Sequence, residues 1–211
     1  NSSGGDSINR YKNYVQRAIF TNVIKPTNDA MVGMAFRKAP RAELPAQLDY
    51  ILSNATGDGV TLEQLAKNTT ANLLQTGRYG LLTDYPSVDE GLSADQVTRL
   101  NVQANIKAYL AESIINWQTE SVGGVDTLTM VVLKEDYTNY LDQFQYESAT
   151  QYRVLSLIDG LYTITIFRDD KAVSVLEPRD SNGSRLKEIP FVIAGAYSND
   201  PAVDDACLYD I

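Results

Sequence analysis

Chemistry in this 211-residue chain would fall to carboxylates, lysine, tyrosine or a bound cofactor, because it contains no histidine. Acidic residues stand in neighbouring pairs at Asp89-Glu90, Glu135-Asp136, Asp169-Asp170 and Asp204-Asp205. Converged carboxylates can hold the divalent cations that phosphoryl transfer requires. Each pair, however, falls at an expected turn or strand end, where solvated carboxylates are ordinary. Tyrosines crowd the run DYTNYLDQFQYES (residues 136–148), dense enough to stack bases or other planar ligands. No arginine or lysine accompanies them in sequence, so the run reads as an amphipathic loop between strands. The segment NATGDGVT (residues 54–61) places Asn54, Thr56, Asp58 and Gly59 at calcium-loop offsets. The glutamate such a loop needs is replaced by Leu65, and a turn explains the segment without metal.

The missing histidine also removes Ser-His-Asp and Cys-His nucleophile systems and histidine-ligated zinc. Gly77, Gly80, Gly123 and Gly124 match neither GxxxxGK[ST] nor GxGxxG. Cys207 is the single cysteine, unable to form an internal disulfide, which points to a reducing compartment. The four Asn-x-Ser/Thr sequons, at Asn1, Asn54, Asn68 and Asn182, read as chance. No catalytic, cofactor-binding or metal-ligating residue is assigned. The formal charge of -9, from 18 basic and 27 acidic residues, argues against the basic face of a nucleic-acid or membrane-surface binder. No apolar run approaches the roughly 20 residues of a membrane span.

The elements that must position these groups centre on residues 61–86. Leu62, Leu65, Ala66, Thr69, Leu73 and Leu74 recur at helical steps, with Thr61 and Gln64 placed as a capping box. Gly77 is set to end the helix in the left-handed region, and residues 79–85 follow as a strand closed by Pro86. Leu62, Leu65, Leu74, Leu81 and Leu82 are expected to be buried together. Upstream, residues 8–37 read as a helix with a kink or restart at Pro26, one apolar stripe through Ile8, Tyr11, Val15, Ala18, Ile19 and Val23, and Met31 and Met34 as core filler. Arg37, Lys38 and Arg41 read as a solvated loop. Residues 44–53 read as a short helix with Leu44, Leu48, Ile51 and Leu52 inward. Residues 87–103 read as an exposed loop, and residues 106–112 as a helix passing into a strand. From residue 127 the chain reads as antiparallel strands, with Asp159-Gly160 and Asn182-Gly183 as turns. The fold class is therefore α+β: N-terminal helices, then a mainly antiparallel sheet. Residues 1–9 form a flexible leader and residues 10–211 a single domain.

Taken together, several segments resemble a family of tailed-phage portal proteins. They are TNVIKPTNDAMVGMAFRKAP, GVTLEQLAKN with GRYGLLTDYP, IKAYLAESIINW, LTMVVLKE, QYRVLSLIDGLY and EIPFVIAGAYSNDP with its acidic follow-on to LYDI. The resemblance runs in order from about residue 22 to residue 211. It implies a structural subunit of the dodecameric ring at the capsid vertex, through which DNA is packaged and ejected. It also implies terminase, capsid or scaffold, and head–tail adaptor partners, with double-stranded DNA passing without tight binding. Virion localisation, no membrane, no cofactor and no catalytic residue follow from the same resemblance. In that family LYDI would begin a stem helix, so the chain resembles the wing portion up to the stem. A carboxylate-based enzyme and a generic protein-binding adaptor are the alternative readings.

Overall fold

The computed structural model describes residues 10–15, 17, 22–85, 103–122, 124–140, 142–180 and 183–195. Residues 10–15 and 17 are helical, and three further helices follow: α1 (Ile24–Ala35), α2 (Tyr50–Ser53) and α3 (Leu62–Thr76). The strands are β1 (Arg78–Asp84), β2 (Asn105–Leu110), β3 (Ile114–Val122), β4 (Val125–Tyr140), β5 (Tyr146–Ile158), β6 (Leu161–Arg168), β7 (Lys171–Leu176) and β8 (Phe191–Gly195). They form a three-stranded sheet in the order β2-β1-β8 and a five-stranded sheet in the order β3-β4-β5-β6-β7. Every pairing is antiparallel. Helices first and antiparallel sheets later make this an α+β fold.

Local chemistry sets the boundaries of α3. The Gln64 amide donates to Thr61 Oγ1 at 3.1 Å, and Gly77 closes the helix at φ 71°, donating its amide to Leu73 O at 2.9 Å. Only half of the expected capping box forms, because the Gln64 side chain donates to Asn68 Oδ1 instead. Pro26 lies in the first turn of α1, where its missing amide breaks no helical bond, and Asn22 Oδ1 accepts the Lys25 amide at 2.9 Å. The helix therefore restarts just before the proline.

The larger sheet is a meander built on tight turns. Asp159 and Gly160 both have positive φ (52° and 73°), the two-residue turn whose twist suits a hairpin. Asp169 and Asp170 make the same kind of turn, at φ 47° and 59°. Neighbour-in-sequence pairing holds for this sheet but not for β8, which returns to pair with β1.

One apolar core is shared by both sheets. Leu82, Tyr109, Phe191 and Ile193 come from the smaller sheet; Val131, Leu133, Leu155 and Ile164 come from the larger. Gly80 lets the sheets close, since a Cβ there would stand 2.5 Å from Phe191 Cζ and 2.9 Å from Ile114 Cδ1. Among the described residues, no helix is long and apolar enough to cross a membrane.

Several expectations are corrected. Residues 105–110 are strand β2, not helix: Ile106, Ala108 and Leu110 alternate with Lys107 and Tyr109, and pairing to β1 decides between the two periods. Of the leucines expected to be buried together, Leu65 and Leu82 are buried, whereas Leu62, Leu74 and Leu81 are half-buried; Leu65 lies outside the shared core. Met31 and Met34 are exposed because the main contact of α1 is with α3 rather than with a sheet, and Tyr11, Val15 and Val23, which precede α1, are exposed as well. Leu48 and Leu52 are exposed as well, since residues 44–53 form a 3-10 turn and a single helical turn rather than one helix. Arg37, Lys38 and Arg41 do lie on an exposed loop. The leader, Ala18 and Ile19, the 87–103 loop apart from Gln103, Asn182, and Cys207 with the LYDI end lie outside the described residues.

Candidate functional site

Strand alternation carries the core face of the long β4–β5 hairpin from apolar to polar. Val131 and Leu133 are followed on that face by Glu135 and Tyr137; opposite them on β5 run Leu155, Arg153, Gln151 and Ala149. The carboxylate two residues past a fully buried leucine therefore lands at the rim of the core, level with Gln151. Glu135 Oε1 accepts from Tyr109 Oη at 2.6 Å and from Arg153 Nε at 2.8 Å, while Glu135 Oε2 accepts from Gln151 Nε2 at 2.9 Å. The network continues outward, with Arg168 Nε donating to Gln151 Oε1 at 2.9 Å. The Arg168 guanidinium then stacks 4.1 Å from the Tyr137 ring centroid.

Tyr109 belongs to the smaller sheet, so Glu135 ties the two sheets together through a charge-assisted bond. A second tie lies along the same seam, where the Arg78 guanidinium of β1 sits 4.3 Å from the Trp117 ring centroid of β3. Burial alone would raise the Glu135 carboxyl, but hydrogen bonds from Arg153, Tyr109 and Gln151 outweigh it and hold the group below the usual carboxylate range. Burial pushes the Tyr109 hydroxyl up, and the neighbouring Glu135 carboxylate pushes it further. Burial also works against the Arg153 cation, yet its bond to Glu135 keeps it more firmly protonated than usual.

An open cavity of about 540 Å³ adjoins this cluster, walled by Lys107, Tyr109, Glu135, Asp136, Arg153 and the Thr56–Asp58 turn. Its charges are largely committed to one another. Lys107 Nζ lies 2.5 Å from Asp84 Oδ2, Arg153 is bonded to Glu135, and Asp58 accepts from Thr56. General base catalysis favours a carboxylate raised toward the working pH, and nucleophilic tyrosine a lowered hydroxyl; both shifts here run the other way. The arrangement braces two sheets.

The sequence candidates are distributed differently from expectation. Glu135-Asp136 lies inside strand β4 rather than at a solvated end, and Glu135 is half-buried. Asp169-Asp170 does form a solvated turn. The tyrosine run is no loop: residues 136–140 continue β4, residue 146 opens β5, and only the tip at 142–145 turns. Nor does the run lack a cation, since β6 brings Arg168 onto Tyr137. The NATGDGVT segment is a turn in which Asn54 Oδ1 accepts the Gly57 and Gly59 amides at 3.0 and 2.8 Å. Asp89-Glu90 and Asp204-Asp205 lie outside the described residues. Sequence reading missed Tyr109, Gln151 and Arg153. The alternation Gln151-Arg153-Leu155 set against Val131-Leu133-Glu135 was the available signal.

Among the described residues, no group of three or more histidine, cysteine, aspartate or glutamate side chains is arranged to hold a metal ion. No protein-family model matches the chain, and no curated protein matches it.

Proposed function

We propose that this chain is the wing of a bacteriophage portal subunit, a structural element of the ring at the capsid vertex through which DNA is packaged and ejected. The observation that carries the reading is where the resembling segments fall. GRYGLLTDYP supplies β1, IKAYLAESIINW supplies β2 and the start of β3, and EIPFVIAGAY supplies β8. Three of the separate pieces thus meet in one sheet, with the GVTLEQLAKN helix leading directly into its central strand. An internally satisfied brace between sheets suits a part that transmits load without chemistry. The acidic balance suits a channel component that must let DNA slide, because phosphates held by few cations release easily.

On this reading the partners are further copies of the subunit, terminase, capsid or scaffold protein and head–tail adaptors, and the assembled protein resides in the virion. Electron microscopy of the full-length gene product tests it. Closed rings with a central channel are expected, and a product that stays monomeric at high concentration counts against a portal. A second assay guards against the enzyme alternative. Magnesium- or manganese-dependent DNA cleavage that disappears on substituting Asp136 or Glu135 would overturn the structural reading.

A further inference from the structure

Strand β2 ends the smaller sheet, and its side away from β1 is open. The Ile106 amide donates to Ala55 O at 2.8 Å, while Thr83, opposite it on β1, donates the other way to Pro190 O at 2.9 Å. Ile106 and Thr83 are therefore a pair without a bond between them. Backbone groups of an antiparallel strand turn to the same side at every second residue. Ala108, two positions on, thus presents both its N–H and its C=O to the open side. It is exposed, and neither group has a hydrogen-bond partner among the described residues. Irregular pairing is one device that blunts such an edge. The outer strands of the larger sheet, β3 and β7, both carry register shifts, whereas β2 pairs with β1 without one. The chain begins the missing ladder itself, since the Ala55 carbonyl already fills the slot at Ile106.

Ile106 and Ala108 also line the open cavity of about 540 Å³ shared with Glu135 and the Thr56–Asp58 turn. Lys107 and Tyr109 project on the cavity side of β2, where they meet Asp84 and Glu135. Side chains of an added antiparallel strand would alternate in step. Those opposite Lys107 and Tyr109 would enter the cavity, and the one opposite Ala108 would face solvent. Charge selects what can enter. Lys107 is matched by Asp84 and Arg153 by Glu135, whereas Asp58 is exposed and forms no ion pair among the described residues. The Thr56–Asp58 turn stands at the start of β2, because a Cβ on Gly57 would lie 3.3 Å from Asn105 Nδ2. We propose that the free edge of β2 binds an extended segment of a partner protein as an added antiparallel strand, with a basic side chain of that segment seated beside Asp58. Backbone pairing supplies the affinity and the cavity supplies the selection. The site goes beyond the portal reading and does not rest on it.

Fluorescence anisotropy of a labelled probe peptide with the intact protein provides the test, together with amide hydrogen exchange of the protein. The probe is a short acetylated peptide alternating threonine with valine, its central valine replaced by arginine. Binding is expected to slow exchange at the Ala108 amide by about fivefold or more and to leave the Ile106 amide, already bonded to Ala55, unchanged. Glutamate in place of the probe's arginine, or Asp58→Lys in the protein, should each weaken binding by about threefold or more. Asp58→Lys protein should recover affinity for the glutamate probe, a gain that only a folded variant can show. N-methylation separates the two sides of the probe backbone. At the threonine amides, which face β2, it should weaken binding by about tenfold or more; at the valine and arginine amides, which face away, it should leave binding intact. A probe that does not bind, binding indifferent to the glutamate exchange, or equal loss from both methylation patterns would each overturn the proposal. Slowed exchange at Ala108 in concentrated protein without probe would mean that a second copy fills the edge, and would overturn it as well.

Discussion

Glu135 answers to three donors at once, and that sets how the protein responds to pH. Its folded-state carboxyl titrates below the ordinary range. Its stabilisation is therefore complete above the unfolded carboxylate value of about 4.3 and is lost as pH falls from there through the lower folded value. Tyr109 acts at the opposite limit. Its hydroxyl is raised, so stability is intact below the ordinary tyrosine value of about 10 and falls as pH climbs beyond it. Glu135→Gln should cost about 1.5–3 kcal/mol near neutral pH, because a charge-assisted acceptor becomes a neutral one and a donor now faces Gln151. Glu135→Ala should cost more, about 3–5 kcal/mol, since it strands Arg153, whose side chain is 13% exposed. Denaturant unfolding across the acid range checks both points: the Gln variant should flatten the acid limb as well as lower the plateau. A variant with full stability and an unchanged acid limb would mean that the carboxylate does not brace the sheets.

At the scale of elements, two glycines predict opposite outcomes for the same substitution. Gly80 lies under Phe191 in the middle of β1, and an added methyl group there must displace a buried ring. Gly80→Ala should cost about 1–3 kcal/mol. Gly33 sits in α1 with nothing within 4 Å of its Cβ direction, so Gly33→Ala should add about 0.5–1 kcal/mol through helix propensity alone. Thermal midpoints moving in opposite directions are the expected readout, and a fall for both would place a neighbour over α1. How much was legible follows the same local logic. The α3 boundaries and the Asp159-Gly160 hairpin could be read because a cap, a left-handed glycine and a two-residue turn act over a few residues. Strand β2 could not, because NIKAYL satisfies both periods and only its partner β1, more than twenty positions upstream, chooses between them. The tyrosine run was misread for a related reason. Its strand identity comes from a hairpin register with β5 that runs from Met130–Ser156 to Tyr140–Tyr146, and the arginine that engages it arrives from β6. The Glu135 site needed both, so it was visible only as an acidic pair.

Across the whole molecule the two sheets share one core while the helices share little of it. Leu82 and Phe191 from the smaller sheet pack with Val131, Leu133 and Leu155 from the larger, and the Glu135–Tyr109 and Arg78–Trp117 contacts lie along the same seam. Separate unfolding of either sheet would open that core and strand the carboxylate, so the sheets should unfold as one cooperative unit. Helix α1 is in a different position. It packs on α3, leaves Met34 exposed, and buries only Asn28, whose Nδ2 donates to Ala71 O at 3.1 Å while its Oδ1 has no hydrogen-bond partner among the described residues. Few apolar contacts hold it, so it should open at a lower free energy than the sheets. Native-state hydrogen exchange resolves the two levels: amides of β1, β4 and β5 should share one high opening free energy, with α1 well below it. Leu82→Ala, which empties a fully buried position, should lower the common sheet value by about 2–5 kcal/mol in both sheets together. It should leave the exchange of α1 nearly unchanged, since that helix already opens without the core. If β1 drops while β4 and β5 hold their protection, the sheets are independent units, and the seam between them is a contact rather than a shared core.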